Sequence, residues 1–327
     1  MALVPEASGP TPVSDGHGRH HAFPGFVIAA DGGYLAAYRD ADDHYVCASA
    51  SARSDRGVIA LRRSDDAGRT WGAPVVIQDD GQHDSRDPAL ALLADGSVVM
   101  SYFVYAGEVV SSYVRRSRDH GLSWDAPVAV AHPFETGSAV CGPVVEFGAG
   151  TLLLPLFGRF AGEADISSVV VRSDDGGASW SPLATVATGG GLQWTEPNLV
   201  VRSDGSLLCL IRQNAAPRAI HACVSDDGGE TWSTPVSVIE GNGRPACIVL
   251  PEGDVLTIYR APGGATSFRT SPDGVGGWRE AGVLDAEPMS TYAQMVLEQG
   301  GSVAVVYALE QDRYRSAVRF HRLVSAA

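Results

Sequence analysis

The feature that most narrows the fold is a phrase written several times over. It appears as RRSDDAGRTWGAP from Arg62, RRSRDHGLSWDAP from Arg115, VRSDDGGASWSP from Val171 and VSDDGGETWSTP from Val224. Aligned on Ser64, Ser117, Ser173 and Ser225, each copy has Asp at +2, Gly at +4, Ser or Thr at +6 and Trp at +7. The copies lie 53, 56 and 52 residues apart, and a degraded fifth, SPDGVGGW, starts at Ser271. Five of the six tryptophans therefore occupy one repeat position. A period near 50 signals an array of similar units, none of which buries its apolar face alone.

Each copy follows a β-like run (GVIALRRS, VVSSYVRRS, SSVVVRS, AIHACVS) and precedes another (APVVIQ, APVAVA, SPLATVA, TPVSVIE), so the phrase reads as a hairpin turn. Its residues suit one. Asp accepts from downstream backbone N–H groups, Gly supplies positive φ, and Trp folds back as an apolar plug. The turn carboxylates Asp66, Asp119, Asp175, Asp227 and Asp273 are accordingly read as structural.

A second pattern, strand then Gly turn then strand, recurs six times between the phrases, from FVIAADGGYLAAYR to MVLEQGGSVAVVYALE. Two hairpins per period make four antiparallel strands, and four-stranded units arrayed about an axis are blades. The expectation is an all-β, six-bladed β-propeller of four-stranded antiparallel blades, a single domain over residues 1–327. No copy of the phrase follows YRSAVRFHRLV, so the N-terminal segment is expected to close the last blade.

With 45% hydrophobic residues, the chain has material for such a core. Its formal charge of -14 argues against nucleic acid or an anionic membrane as partner, since phosphate binding needs clustered Lys and Arg. No apolar run approaches the roughly 18 residues of a membrane span. The opening MALVPEASGPTPVSDG lacks the pattern of a secretory leader, and a cytoplasmic location is the expectation. Cys47, Cys141, Cys209, Cys223 and Cys247 are odd in number and widely spaced, which favours free buried thiols. The nine histidines show no HExxH or paired ligand spacing, so neither a metal nor another cofactor is expected; HGRHHAF is merely clustered.

In a propeller the first strands converge on the axis, so residues just before each first strand and just after each second strand share one pocket. Before the first strands stand Phe23, Arg86 with Asp87, Cys141, Glu196, Arg244 and Tyr292. After the second stand Arg39, Tyr102, Arg159, Arg212, Arg260 and Glu310. Arginine is scarce in this acidic chain, yet Arg39, Arg86, Arg159, Arg212, Arg244 and Arg260 gather there, which favours a site for a carboxylate or another anion.

With its repeated S-x-D-x-G-x-T-W turns, the sequence resembles the sialidase (neuraminidase) superfamily of six-bladed Asp-box, or BNR-repeat, propellers. TEPNLVVRSDGSLLCLIR matches the family's Glu-Pro and following Arg with Glu196 and Arg212, and TYAQMVLEQGGSVAVVYALE gives Tyr292 and Glu310. Asp87-Pro88 matches the opening of the family's second blade, whose Asp touches ring substituents, and Arg260 falls where another carboxylate-binding Arg is expected. One departure stands out. Where the family has Arg-Ile-Pro in blade one, this chain has Ala22-Phe23-Pro24, leaving the three-Arg clamp a member short; Arg19, Arg39 or Arg244 are candidate replacements.

The resemblance implies a sialidase-like exo-glycoside hydrolase that releases a terminal sialic acid or related 2-keto sugar acid with retention. A carboxylate beside the anomeric carbon repels an anionic nucleophile, so a neutral Tyr suits that chemistry. Tyr292 would attack while Glu196 takes its proton, with Arg39, Asp87, Arg212, Arg244 and Arg260 binding substrate. The acid for the leaving oxygen would come from the loop holding Asp40, Asp42, Asp43 and Asp55, where spacing back from the first repeated turn favours Asp55. Two alternatives remain: a propeller hydrolase or lyase for uronic-acid glycans, and a non-catalytic glycan-binding propeller. Linkage and oligomeric state are not legible in the sequence.

Overall fold

The computed structural model describes residues 2–44, 56–105, 109–148 and 150–326, and every regular element among them is a strand. β1 (Leu3–Pro5) and β2 (Thr11–Ser14) precede a first group of β3 (His20–Ile28), β4 (Tyr34–Ala41), β5 (Val58–Ser64) and β6 (Val75–Gln78). Next come β7 (Asp84–Leu92), β8 (Val98–Tyr105), β9 (Val109–Ser117) and β10 (Val128–Ala129). The third group is β11 (Thr136–Val140), β12 (Val145–Phe147), β13 (Thr151–Arg159), β14 (Ser167–Ser173) and β15 (Ser181–Ala187). The fourth and fifth are β16 (Trp194–Val201), β17 (Leu207–Gln213), β18 (Ala219–Ser225) and β19 (Val236–Glu240), then β20 (Asn242–Val249), β21 (Val255–Arg260), β22 (Thr266–Ser271) and β23 (Arg279–Asp285). β24 (Ser290–Leu297), β25 (Val303–Asp312) and β26 (Arg315–Ser325) end the chain.

These groups form a propeller-like array. β24 packs against both β20 and β3, β3 against β7, and β16 against β13 and β20. Hydrogen bonding gives five sheets rather than the six separate ones expected, because the last and first groups merge into one nine-stranded sheet. The merger rests on one parallel pair, Ser316 with His20. A close backbone approach permits it: a Cβ on Gly16, whose φ is +78°, would stand 2.5 Å from the Ser316 carbonyl oxygen. β1 and β2 also pair with β26, setting Leu3 opposite Ser325 and Thr11 opposite Phe320.

The repeated turn explains its own spelling. In the first copy Ser64 Oγ donates to Asp66 Oδ1 at 2.8 Å and accepts from Gly68 N at 2.9 Å. Asp66 in turn accepts from Thr70 N at 2.9 Å and Thr70 Oγ1 at 2.6 Å. Ser117, Ser173 and Ser225 repeat the bond to their Asp at 2.8, 2.7 and 2.7 Å. Every turn aspartate is thus occupied by its own loop, which joins the last two strands of its group.

The tryptophan that ends each turn packs between sheets. Trp71 lies against the Phe26, Ala60, Val306 and Phe320 cluster, and Trp180 is buried with Val99, Leu152 and Val171. Trp124, Trp232 and Trp278 line three further inter-sheet clusters. The cluster between β20–β23 and β24–β26 has no tryptophan, because the last group has no repeated turn; Leu3 from β1 and Leu323 are buried there. N-terminal apolar surface thus joins the one junction that the repeat leaves unplugged.

Candidate active site

The first strand of every group loses register once. The breaks fall between Ala22 and Gly25, Arg86 and Ala89, Thr136 and Ala139, Thr195 and Asn198, Asn242 and Ala246, and Thr291 and Gln294. Each break contains a residue with positive φ: Gly137 and Gly243 in two, but Phe23, Asp87, Glu196 and Tyr292 in the others, at φ 53°, 49°, 51° and 57°. A side-chain-bearing residue in that conformation costs about 1–3 kcal/mol and persists only where its surroundings enforce it. Bulges re-aim side chains, and these four gather around one centre.

Tyr292 Oη donates to Glu196 Oε1 at 3.1 Å. The other carboxylate oxygen accepts from Arg212 Nη1 at 2.8 Å, while Arg212 Nη2 reaches Asn214 Oδ1 at 2.9 Å. Strand register makes this possible, since Arg212 pairs across the sheet with Thr195, beside Glu196. The Phe23 ring meets Tyr292 edge-on, with centroids 4.8 Å apart. Burial, reinforced by the charge of Glu196, holds the Tyr292 phenol well above its ordinary range. Burial also pushes the Asp87 carboxyl up to about 6, against the pull of Arg86 and Arg244.

A cavity of about 390 Å³ opens over this group, walled by Arg212, Arg260, Arg313, His44, Glu310 and Tyr292. Arg313 is paired with Asp43 at 2.6 Å. Arg260, like Arg212, has a buried Nε with no hydrogen-bond partner among the described residues. It also lines a neighbouring hollow of about 670 Å³ with Arg218 and Asn242. With Arg212 held by Glu196 and Asn214 and Arg313 by Asp43, Arg260 is the arginine of this wall without a side-chain partner among the described residues.

Two arginines expected to bind substrate do not line that cavity. Arg39 is 1% exposed and grips Asp84 through two bonds of 2.7 and 2.9 Å. Arg244, 2% exposed, donates to the carbonyls of Cys141 at 2.5 Å, Pro24 at 3.3 Å and Tyr292 at 3.4 Å, and its Cζ lies 5.5 Å from the Tyr292 ring centroid. Burial forces a guanidinium to satisfy its donors locally. Arg244 thereby ties together the backbones that carry Phe23 and Tyr292.

Asp55 lies outside the described residues. Of the other acids in its loop, Asp40 accepts from Arg19 at 2.5 Å and sits 3.1 Å from His21, Asp42 accepts from Arg19, and Asp43 accepts from Arg313. Asp87 stays at the centre, 3.9 Å from Arg86 Nε.

Arg86 and Glu310 stood among the near-axis positions without an assigned role, and His20 and His44 were not singled out at all. Arg86 covers the Phe23 ring at 5.0 Å, so a guanidinium from the second group stands beside the position where the first lacks one. Glu310 faces His44 Nδ1 at 3.0 Å and His20 Nε2 at 3.8 Å. Burial opposes ionisation of Glu310, but the His44 hydrogen bond and nearby positive charge bring its pKa below the ordinary value. His20 is fully buried, neither ring nitrogen has a hydrogen-bond partner among the described residues, and burial with the Arg39 charge lowers its pKa to about 3. His20 and His44 lie 24 residues apart and Glu310 some 266 further on, so no sequence spacing announces them.

Known proteins agree with this architecture. The BNR repeat-like domain family matches residues 42–305, most of the chain. A protein of unknown function from Dyadobacter fermentans superposes with a TM-score of 0.85 at 19% identity, over 98% of this chain and 99% of that one. A leech intramolecular trans-sialidase complexed with 2,7-anhydro-Neu5Ac superposes with a TM-score of 0.71 at 15% identity, over 93% of this chain and 68% of that one. A Paenibacillus xyloglucanase is 25% identical over 178 residues, 50% of this chain; the match spans only 16% of that protein. The chain belongs to the BNR repeat-like domain family, and its fold is similar to that of sialidases.

Proposed function

We propose that the protein is a six-bladed, Asp-box exo-glycoside hydrolase that releases a terminal sialic acid or related 2-keto sugar acid with retention. The blade count treats the nine-stranded sheet as two blades joined at Ser316 and His20. One observation carries the chemistry: a half-buried phenol bonded to a carboxylate whose other oxygen is held by an arginine. With its pKa raised, Tyr292 is protonated at neutral pH and needs a base to become a nucleophile. Glu196 Oε1 takes that proton as the phenolic oxygen bonds to the anomeric carbon and the aglycone bond breaks. Arg212 keeps Glu196 oriented, and Arg260 meets the substrate carboxylate across the cavity.

This reading assigns the leaving-group acid to Asp55, because Asp40, Asp42 and Asp43 are engaged by Arg19 and Arg313. Water then releases the sugar, with the same acid acting as base. The test is fluorophore release from methylumbelliferyl α-glycosides of N-acetylneuraminic acid and its deaminated analogue, by wild type beside Tyr292→Phe. Turnover that collapses in the variant supports the reading; no turnover by wild type on either sugar sinks it.

A second reading draws on the clamp. Phe23 occupies one clamp position, and Arg39 and Arg244 are committed elsewhere, so fewer guanidinium groups meet a carboxylate than a sialic-acid site uses. Uronic-acid glycans fit that reduced set. Unsaturated products absorbing near the ultraviolet edge would identify β-elimination, and saturated uronate would identify hydrolysis.

A further inference from the structure

We propose that His20, His44 and Glu310 form a binding site for one divalent transition-metal ion of the zinc class. The three residues come from the start of β3, the segment after β4 and the end of β25. Their ligand atoms all lie within 4.8 Å of one another. Glu310 Oε1 stands 3.0 Å from His44 Nδ1 and 3.8 Å from His20 Nε2. A tetrahedral ion with bonds of about 2.0–2.1 Å sets its ligand atoms roughly 3.4 Å apart, and the two measured separations bracket that edge.

A second observation points the same way. His20 is 0% exposed, yet neither of its ring nitrogens has a hydrogen-bond partner among the described residues. A buried polar atom without a partner costs stability, and a metal bond at Nε2 would satisfy the nitrogen that faces Glu310. The His20 and His44 rings stand at 89° with centroids 5.1 Å apart, so they approach the centre from different directions instead of stacking. Of the arginines whose charge acts on His20, Arg39 is paired with Asp84 through two hydrogen bonds, and Arg86 lies 3.7 Å from Asp84 and 3.9 Å from Asp87, so carboxylates offset both beside the site.

Two imidazoles and one carboxylate are the donors of a zinc site that keeps a coordination position for water or ligand. His44 and Glu310 both line the cavity that holds Tyr292 and Arg260. The ion would therefore place positive charge where the chain has Phe23 in the missing arginine's position. That last role rests on the anionic-substrate reading above, whereas metal binding itself does not.

The test uses untagged full-length protein stripped with a chelator, then titrated with Zn2+ by calorimetry and with Co2+ by visible spectroscopy. Expected are about one bound equivalent, a tetrahedral Co2+ spectrum and a metal-dependent rise in melting temperature. His20→Ala, His44→Ala and Glu310→Gln should each weaken Zn2+ binding by more than about tenfold, while His83→Ala, at an exposed surface histidine, leaves it unchanged. The wild-type cobalt spectrum keeps the test decisive should His20→Ala fail to fold. Absence of saturable binding in wild type, a non-tetrahedral cobalt spectrum, or affinity lost in His83→Ala but kept in Glu310→Gln would each overturn the proposal. Because these readouts need no substrate, they stand or fall separately from glycosidase activity.

Discussion

Tyr292 and Glu196, 96 residues apart, meet at 3.1 Å because both occupy the positive-φ position of a bulge in the first strand of their groups. The same backbone device turns Asp87 and Phe23 toward them. Four independently strained positions around one centre are difficult to explain by packing alone, and strain of this kind clusters at functional sites.

If Glu196 is the base for Tyr292, Tyr292→Phe and Glu196→Gln should each lower kcat/KM by about 10²–10⁴. Melting temperature should change little in Tyr292→Phe, whose ring keeps its contact with Phe23. Steady-state kinetics beside thermal unfolding check both halves. Equal loss of activity and fold would instead mark the pair as structural.

The arginines should separate into two kinds. Arg260→Ala should raise KM for an anionic substrate about 10–100-fold with little effect on stability, since its buried Nε has no partner to lose among the described residues. Arg39→Ala should destabilise by about 3–5 kcal/mol, because it leaves the fully buried Asp84 without the two hydrogen bonds it accepts from Arg39. Chemical denaturation and substrate saturation curves on the two variants would reveal the contrast.

The contrast also shows what the sequence could and could not tell. The repeat disclosed the hairpins because Ser64, Asp66, Gly68 and Thr70 satisfy one another locally. Glu196, Arg212 and Tyr292 were legible by their places at strand ends. The commitments of Arg39 to Asp84 and of Arg244 to the Cys141 and Pro24 carbonyls were not, for they depend on neighbours far away in sequence. Nor does any local signal show that Phe, Asp, Glu and Tyr adopt a conformation usually left to glycine. The His20, His44 and Glu310 cluster was hidden for the same reason as the arginine partners.

Asp87 should make stability depend on pH in a particular direction. Its pKa rises in the fold from the ordinary 3.8 to about 6, so its contribution is fully present below 3.8 and is lost as pH rises through 6. Asp87→Asn, which cannot ionise, should therefore gain up to about 3 kcal/mol over wild type at pH 8 and nearly nothing at pH 3.5. Unfolding curves at the two pH values check it; a variant less stable than wild type at pH 8 would contradict the assignment.

The turn aspartates act in the opposite sense. Hydrogen bonds from Thr70, Ser123, Ser179 and Thr231 depress Asp66, Asp119, Asp175 and Asp227 to about 2. Their contribution is present above the ordinary 3.8 and is lost as pH falls through about 2. Melting temperature should drop between those values. Asp227→Asn should be less stable than wild type at pH 6 and converge on it near pH 2, as a melting series would record.

The most direct test of the central claim is covalent trapping. Wild-type protein would be incubated with a fluorinated, activated 2-keto sugar acid that forms the glycosyl-enzyme but hydrolyses slowly, and its peptides would be analysed by mass spectrometry. The account predicts one sugar adduct per chain, on the peptide containing Tyr292, absent from Tyr292→Phe and formed far more slowly in Glu196→Gln. An adduct on a different residue, or steady turnover of the parent sugar with no adduct at Tyr292, would contradict it.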